Sequence, residues 1–147
     1  MRFFRVIIIL IFILLPPIVQ AGPQYIEVTA EKPQKHIFVE TSHLGEGFWA
    51  FSITINMKDV EIPSDLSAYL ILQNEKGNLL STPIKSATVE QGKAQFYAAI
   101  HSDLLKWARI DLRDNMTVYQ IKLESFKQIQ TKKLQMKQYQ VNEGDGE

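Results

Sequence analysis

Between Phe48 and Met57 large and small side chains take turns. Trp49, Phe51, Ile53, Ile55 and Met57 are large and apolar, while Ala50, Ser52, Thr54 and Asn56 are small or polar. A period of two sends one set to a core and the other to solvent, as a strand buried on one face requires. A helix would scatter the five large side chains around its circumference. Shorter runs of the same kind flank this segment. Tyr25–Thr29 and His36–Glu40 are β-prone, the stretch between them is broken by Pro33, and Gly45 and Gly47 punctuate the turn before Phe48. Lys58–Ser67, with Pro63, reads as a connection. In Ala68–Gln73, Leu70 and Leu72 share one face and Tyr69 and Ile71 the other, which suits a more central strand. A turn around Gly77 leads to a return strand at Leu79-Leu80. Ser86–Glu90 and Lys93–Ile100 flank a hairpin turn at Gln91-Gly92, with Phe96, Ala98 and Ile100 opposite Gln95, Tyr97 and Ala99.

The period then changes. Ser102 is expected to cap a short helix over Asp103–Trp107, with Asp103 set against the positive helix start. Ala108, Ile110 and Leu112 alternate with Arg109, Asp111 and Arg113. After a turn at Asp114-Asn115, Tyr119, Ile121 and Leu123 alternate with Gln120, Lys122 and Glu124. Seven or eight short strands in about 105 residues predict an all-β fold. The expected form is an antiparallel two-sheet sandwich, immunoglobulin-like in architecture, with one short helix at residues 103–107. That label describes architecture and carries no function.

The first 21 residues follow another logic. Arg2 and Arg5 precede an unbroken apolar run, Val6–Leu15, and Val19-Gln20-Ala21 closes it with small residues. Basic, apolar and small-residue segments in that order read as a secretory signal peptide. The run is ten residues long and Pro16-Pro17 follows at once. A membrane span needs ~20 apolar residues, so a cleaved leader fits better than an anchor. The domains expected are a signal peptide at 1–21, a sandwich at 22–126, and a basic, Gln-rich extension at 127–147. Cleavage would leave one domain, large enough to fold around a single core. The chain has no cysteine, so neither a disulfide nor a lipid anchor is available. A cysteine-free exported chain points to a bacterial periplasm or cell surface.

The precursor carries 16 basic and 16 acidic residues. Losing Arg2 and Arg5 leaves two more acidic than basic residues. No strong field of either sign results, so nucleic acid is not an implied partner.

Candidate chemistry is sparse. Glu40, His43 and Glu46 are spaced by three and could hold a metal, although a solvated hairpin connection explains them as well. Ser102 beside His101 has the wrong spacing for a nucleophile and its base, and the helix cap accounts for it. No G-x-S-x-G elbow or glycine-rich phosphate loop occurs. No cofactor, metal or catalytic residue is therefore assigned. Asn115-Met116-Thr117 matches a glycosylation sequon, which has no meaning in a bacterial protein. Tyr69, Tyr97 and Trp107 are candidates for an exposed aromatic platform. Lys132, Lys133 and Lys137 are candidates for partner contact within an extension that ends in Asn142–Glu147, expected to be disordered. That extension could add a strand to a partner or meet anionic lipid, but an irregular extension or a final edge strand whose lysines discourage aggregation explains it better.

These observations lead to an expected role as a non-enzymatic protein-interaction module of the periplasm or cell surface, its partner another envelope protein. The alternative is a binding protein for a small ligand or glycan, using loop ends or an aromatic face. Peripheral membrane contact and the oligomeric state stay open. The strand assignment is directly testable. Ile53→Asp should abolish cooperative unfolding in a thermal melt, because it places a charge in the core, whereas Thr54→Asp should leave a sharp transition.

Overall fold

The structure, a computed structural model, describes residues 21–56, 66–90, 92–128 and 130. The leader up to Gln20, most of the Lys58–Ser67 connection, and Lys132, Lys133 and Lys137 lie outside the described residues. Nine strands occur among the described residues: β1 (Gln24–Val28), β2 (Ile37–Gly45), β3 (Phe48–Asn56), β4 (Ser67–Gln73), β5 (Leu79–Ile84), β6 (Ser86–Glu90), β7 (Lys93–His101), β8 (Ala108–Arg113) and β9 (Thr117–Lys122). They form two sheets, one in the order β1-β9-β8-β4-β5 and the other β2-β3-β7-β6. No helix among the described residues is long and apolar enough to cross a membrane.

The alternating segment becomes β3, paired on both sides by β2 and β7. Trp49, Phe51, Ile53 and Ile55 enter one hydrophobic cluster with Phe96 and Ile100 of β7. Ala68 of β4, Ile110 and Leu112 of β8, Ile121 of β9 and Val28 of β1 enter the same cluster from the other sheet. The two inward faces thus share one core. Fully burying an aliphatic or aromatic side chain stabilises a fold by about 1.5–3 kcal/mol, so this cluster is the main source of cohesion. β4 pairs with both β5 and β8, as the apolar character of both its faces suggested.

Three expectations need correction. The sheets are not wholly antiparallel, because β1 runs parallel to β9, with Gln24 opposite Thr117 and Val28 opposite Ile121. Alternation and turn signals report neighbours in sequence, and the first strand pairs here with the last. The short helix is a 3₁₀ helix, Ser102–Trp107, and its N-cap is His101, whose Nδ1 accepts the Asp103 N–H at 3.4 Å. Ser102 lies inside the first turn, because β7 stays extended through His101. Finally, β9 stops at Lys122, and residues 123–128 and 130 are helical. Leu123 prolongs the apparent alternation of Tyr119 and Ile121, but it is paired with Phe126 at helical spacing and both pack on the core. Ser125 secures the change of direction: its Oγ donates to the Lys122 carbonyl at 2.8 Å and accepts the Ala30 N–H at 3.1 Å.

The turn between β2 and β3 is tight, with Gly45, Glu46 and Gly47 all at positive φ. At Gly47 a Cβ would lie 2.7 Å from His101 Nε2, so a side chain there would displace the imidazole that caps the 3₁₀ helix.

Tyr119 of β9 meets His36 edge-on, with ring centroids 5.4 Å apart. Burial raises its phenol pKa above the ordinary 10.0, and the Asp114 carboxylate adds to the shift. The folded chain therefore keeps this proton at a pH where the unfolded chain has lost it. The resulting stabilisation is complete below the ordinary value and is lost as pH climbs through the raised one. Urea titrations across this alkaline range should show stability falling with pH, and less steeply in Tyr119→Phe.

Candidate functional site

The three aromatic candidates occupy three different places. Tyr69 projects from the outer face of the five-stranded sheet, where the Arg113 guanidinium carbon lies 4.7 Å from its ring centre. Tyr97 projects from the outer face of the other sheet and is 52% exposed. Trp107 sits in the 3₁₀ helix under the Lys106 ammonium, 5.0 Å from its ring centre. With Leu72, Leu79, Leu80 and Leu104 it borders an apolar hollow of about 440 Å³. A single platform joining all three does not form, since Tyr69 and Tyr97 belong to opposite outer surfaces. The metal candidates separate too. Glu40 and His43 are three apart on β2 and so face opposite sides, and the His43 ring packs edge-on against Trp49, 5.2 Å away. No group of three metal-ligating side chains occurs among the described residues.

The two outer faces differ in kind. On the five-stranded sheet, Asp111 is 2% exposed and accepts from Arg109 Nε at 2.8 Å and from Arg113 Nη2 at 3.2 Å. A buried carboxylate is tolerable where charge-assisted hydrogen bonds replace its water. This face is closed by its own arginines. On the four-stranded sheet, register aligns Glu40, Ser52 and Tyr97 in one row and Ser42, Ala50 and Ala99 in the next. The second row is made of small residues throughout, so it leaves a trough beside Glu40 and Tyr97.

That trough continues round the margin of β2 into a groove of about 780 Å³. On the outer side the groove is lined by Glu40, Ser42, Ser52 and Tyr97; on the inner side by Val39, Thr41, Phe51 and Phe126. Residues from both faces of β2 border one hollow, so the hollow wraps the edge of that strand. Its far wall, Ala30 and Phe126, is held by the Ala30–Ser125 hydrogen bond.

β2 is a terminal strand of its sheet and, among the described residues, pairs with β3 alone. Asn56 N–H donates to the His36 carbonyl at 3.0 Å, which makes 36 and 56 a hydrogen-bonded pair. Such pairs recur at every second residue of an antiparallel ladder. Phe38, Glu40 and Ser42 therefore direct their backbone groups to β3, while Val39, Thr41 and His43 direct theirs outward. Ile37 follows the same parity, since its N–H turns away from β3 to the Gln34 carbonyl, 3.2 Å away.

The remaining terminal strands are less open. β1 and β6 are five residues long, against nine in β2. β5 contains Pro83, which stays paired opposite Tyr69, so its missing donor falls on the free side. Proline, lysine and short length are the usual protections of a sheet edge, and β2 has none of them, although a bulge disturbs its far end between His43 and Gly45. Sequence reasoning missed Val39, Thr41 and Phe126 as site residues. The signal available was a long β-prone run free of proline and lysine.

No protein-family model matches the chain, and neither a curated protein nor a solved structure matches it. The functional reading therefore rests on geometry. Its premise, the backbone parity of β2, can be checked by a pair of prolines. Thr41→Pro removes an outward N–H and should change unfolding free energy by less than about 1 kcal/mol, whereas Glu40→Pro removes a ladder donor and should cost about 2–4 kcal/mol in a urea titration.

Proposed function

We propose that this chain is a non-enzymatic protein-interaction module of the bacterial periplasm or cell surface, and that its partner adds an extended segment to the outer edge of β2. The observation that carries the reading is the pairing state of β2. A nine-residue strand whose second edge is unpaired among the described residues, bordered by a groove, suits strand addition, in which backbone bonds supply affinity and flanking pockets supply specificity. Export is supported by the basic, apolar and small-residue order of the leader. An immunoglobulin-like sandwich is supported by strand order. The sheet β2-β3-β7-β6 matches an A-B-E-D arrangement, and β9-β8-β4-β5 matches G-F-C-C′. In place of the inter-sheet cysteine pair of antibody domains, Phe51, Ile53, Ile110 and Leu112 fill the space between the sheets.

A second reading, a small-ligand or glycan site, is favoured by one feature: Tyr97 stands exposed in the groove beside Glu40, Ser42 and Ser52. The two readings part at the backbone. Partner captured from an envelope extract should be retained by wild type and by Ser42→Ala and lost by Thr41→Pro. Adding the purified partner should slow amide hydrogen exchange at Val39, Thr41 and His43. Equal capture by Thr41→Pro, or unchanged exchange at those amides, sinks the strand-addition reading. A sugar that raises the melting temperature of wild type and Thr41→Pro alike would point to the second.

A further inference from the structure

Glu40 is the only charged side chain among the described residues that line the β2 groove. No ion pair among the described residues involves it. Its place on the strand determines what an incoming segment must present. A strand added to the outer edge bonds to the backbone of Val39, Thr41 and His43. Its residues opposite Val39 and Thr41 then point to the inner side of the sheet, where Val39, Thr41, Phe51 and Phe126 line the groove. Its residue opposite Glu40 points to the outer side, where directly facing side chains stand ~4.5–5.5 Å apart at Cβ and opposite charges attract. Behind Glu40 in the same row stand Ser52, already engaged by Gln95 Nε2 at 3.0 Å, and the Tyr97 ring. A long cationic side chain lying over Ser52 would meet the carboxylate first and the face of the ring next.

Resting on the strand-addition reading, we propose that the partner of β2 is an extended peptide segment of another protein with a lysine or arginine opposite Glu40 and an apolar residue on each side of it. Charge complementarity selects this occupant over a second copy of the chain. Self-pairing of β2 centred on Glu40 would set two carboxylates face to face, where like charges repel, and the neighbouring antiparallel registers would face each Glu40 with Ser42 or Phe38 and give it no counter-charge. The groove walls favour it for the same positions: apolar contacts inside, one carboxylate and one aromatic ring outside.

The probe is a nine-residue peptide of alternating threonine and valine, with the central threonine replaced by lysine or by glutamate, titrated against the full chain. The lysine peptide should bind about threefold to thirtyfold more tightly than the glutamate peptide. The ratio should fall to about one in Glu40→Gln and shrink in 1 M salt, where charges are screened within about 3 Å. Thr41→Pro should weaken both peptides alike, since it removes a backbone donor and leaves Glu40 in place. Equal binding of the two peptides to wild type, with Thr41→Pro still defective, overturns the charge preference and leaves strand addition standing. Peptide binding that ignores Thr41→Pro overturns both. Concentration-dependent dimerisation that Thr41→Pro abolishes assigns the edge to a second copy and overturns the peptide partner.

Discussion

The two sheets are held together mainly by apolar side chains. With no cysteine in the chain, cohesion across the layers falls to the inward residues of β3 and β8. Phe51, Ile53, Ile110 and Leu112 are all fully buried in one cluster. These two strands are also interior to their sheets, β3 between β2 and β7, β8 between β4 and β9. The strongest packing therefore lies at the centre. The margins contribute less to the core, so their outward residues are less constrained by packing.

The outer surfaces differ chemically. On the five-stranded sheet, Arg109 and Arg113 turn inward along their own strand to satisfy Asp111, and Arg113 also covers Tyr69. Side chains that could have greeted a partner are spent on neighbours. On the four-stranded sheet the central rows are serine and alanine, with Glu40 and Tyr97 left unclaimed by any ion pair or ring contact among the described residues. An aromatic residue in a sequence says little until its sheet is known. Tyr69 and Tyr97 looked equivalent along the chain, and pairing placed one under a guanidinium and the other in a groove.

Much of the fold was legible because period-two alternation is a local signal. β3, β4, β7 and β8 could be located from Trp49–Ile55, Tyr69–Leu72, Phe96–Ile100 and Ala108–Leu112, with their inward faces assigned. What escaped depended on contacts between distant residues. The parallel union of β1 with β9 leaves no trace in either segment. At Leu123 a strand pattern and a helix pattern share the same residue, and burial with Phe126 decided between them. The site was partly visible, since Glu40 and Tyr97 both stood out, one as a metal candidate and one as a platform. Their association needs the β2–β3–β7 register, and the terminal place of β2 is known only from the strand order of its sheet.

The parallel pairing of β1 and β9 also has a mechanical side. Gln24 and Thr117 sit at one end of this pair and Val28 and Ile121 at the other. The chain enters at the Gln24 end and leaves β9 at Lys122, the opposite end. Traction between the two ends of the chain would therefore drag these strands past each other lengthwise. Every hydrogen bond between them then bears load at once, whereas a hairpin pulled at its open end parts one bond at a time. A domain joined in this way resists stretching along the line of β1 and β9.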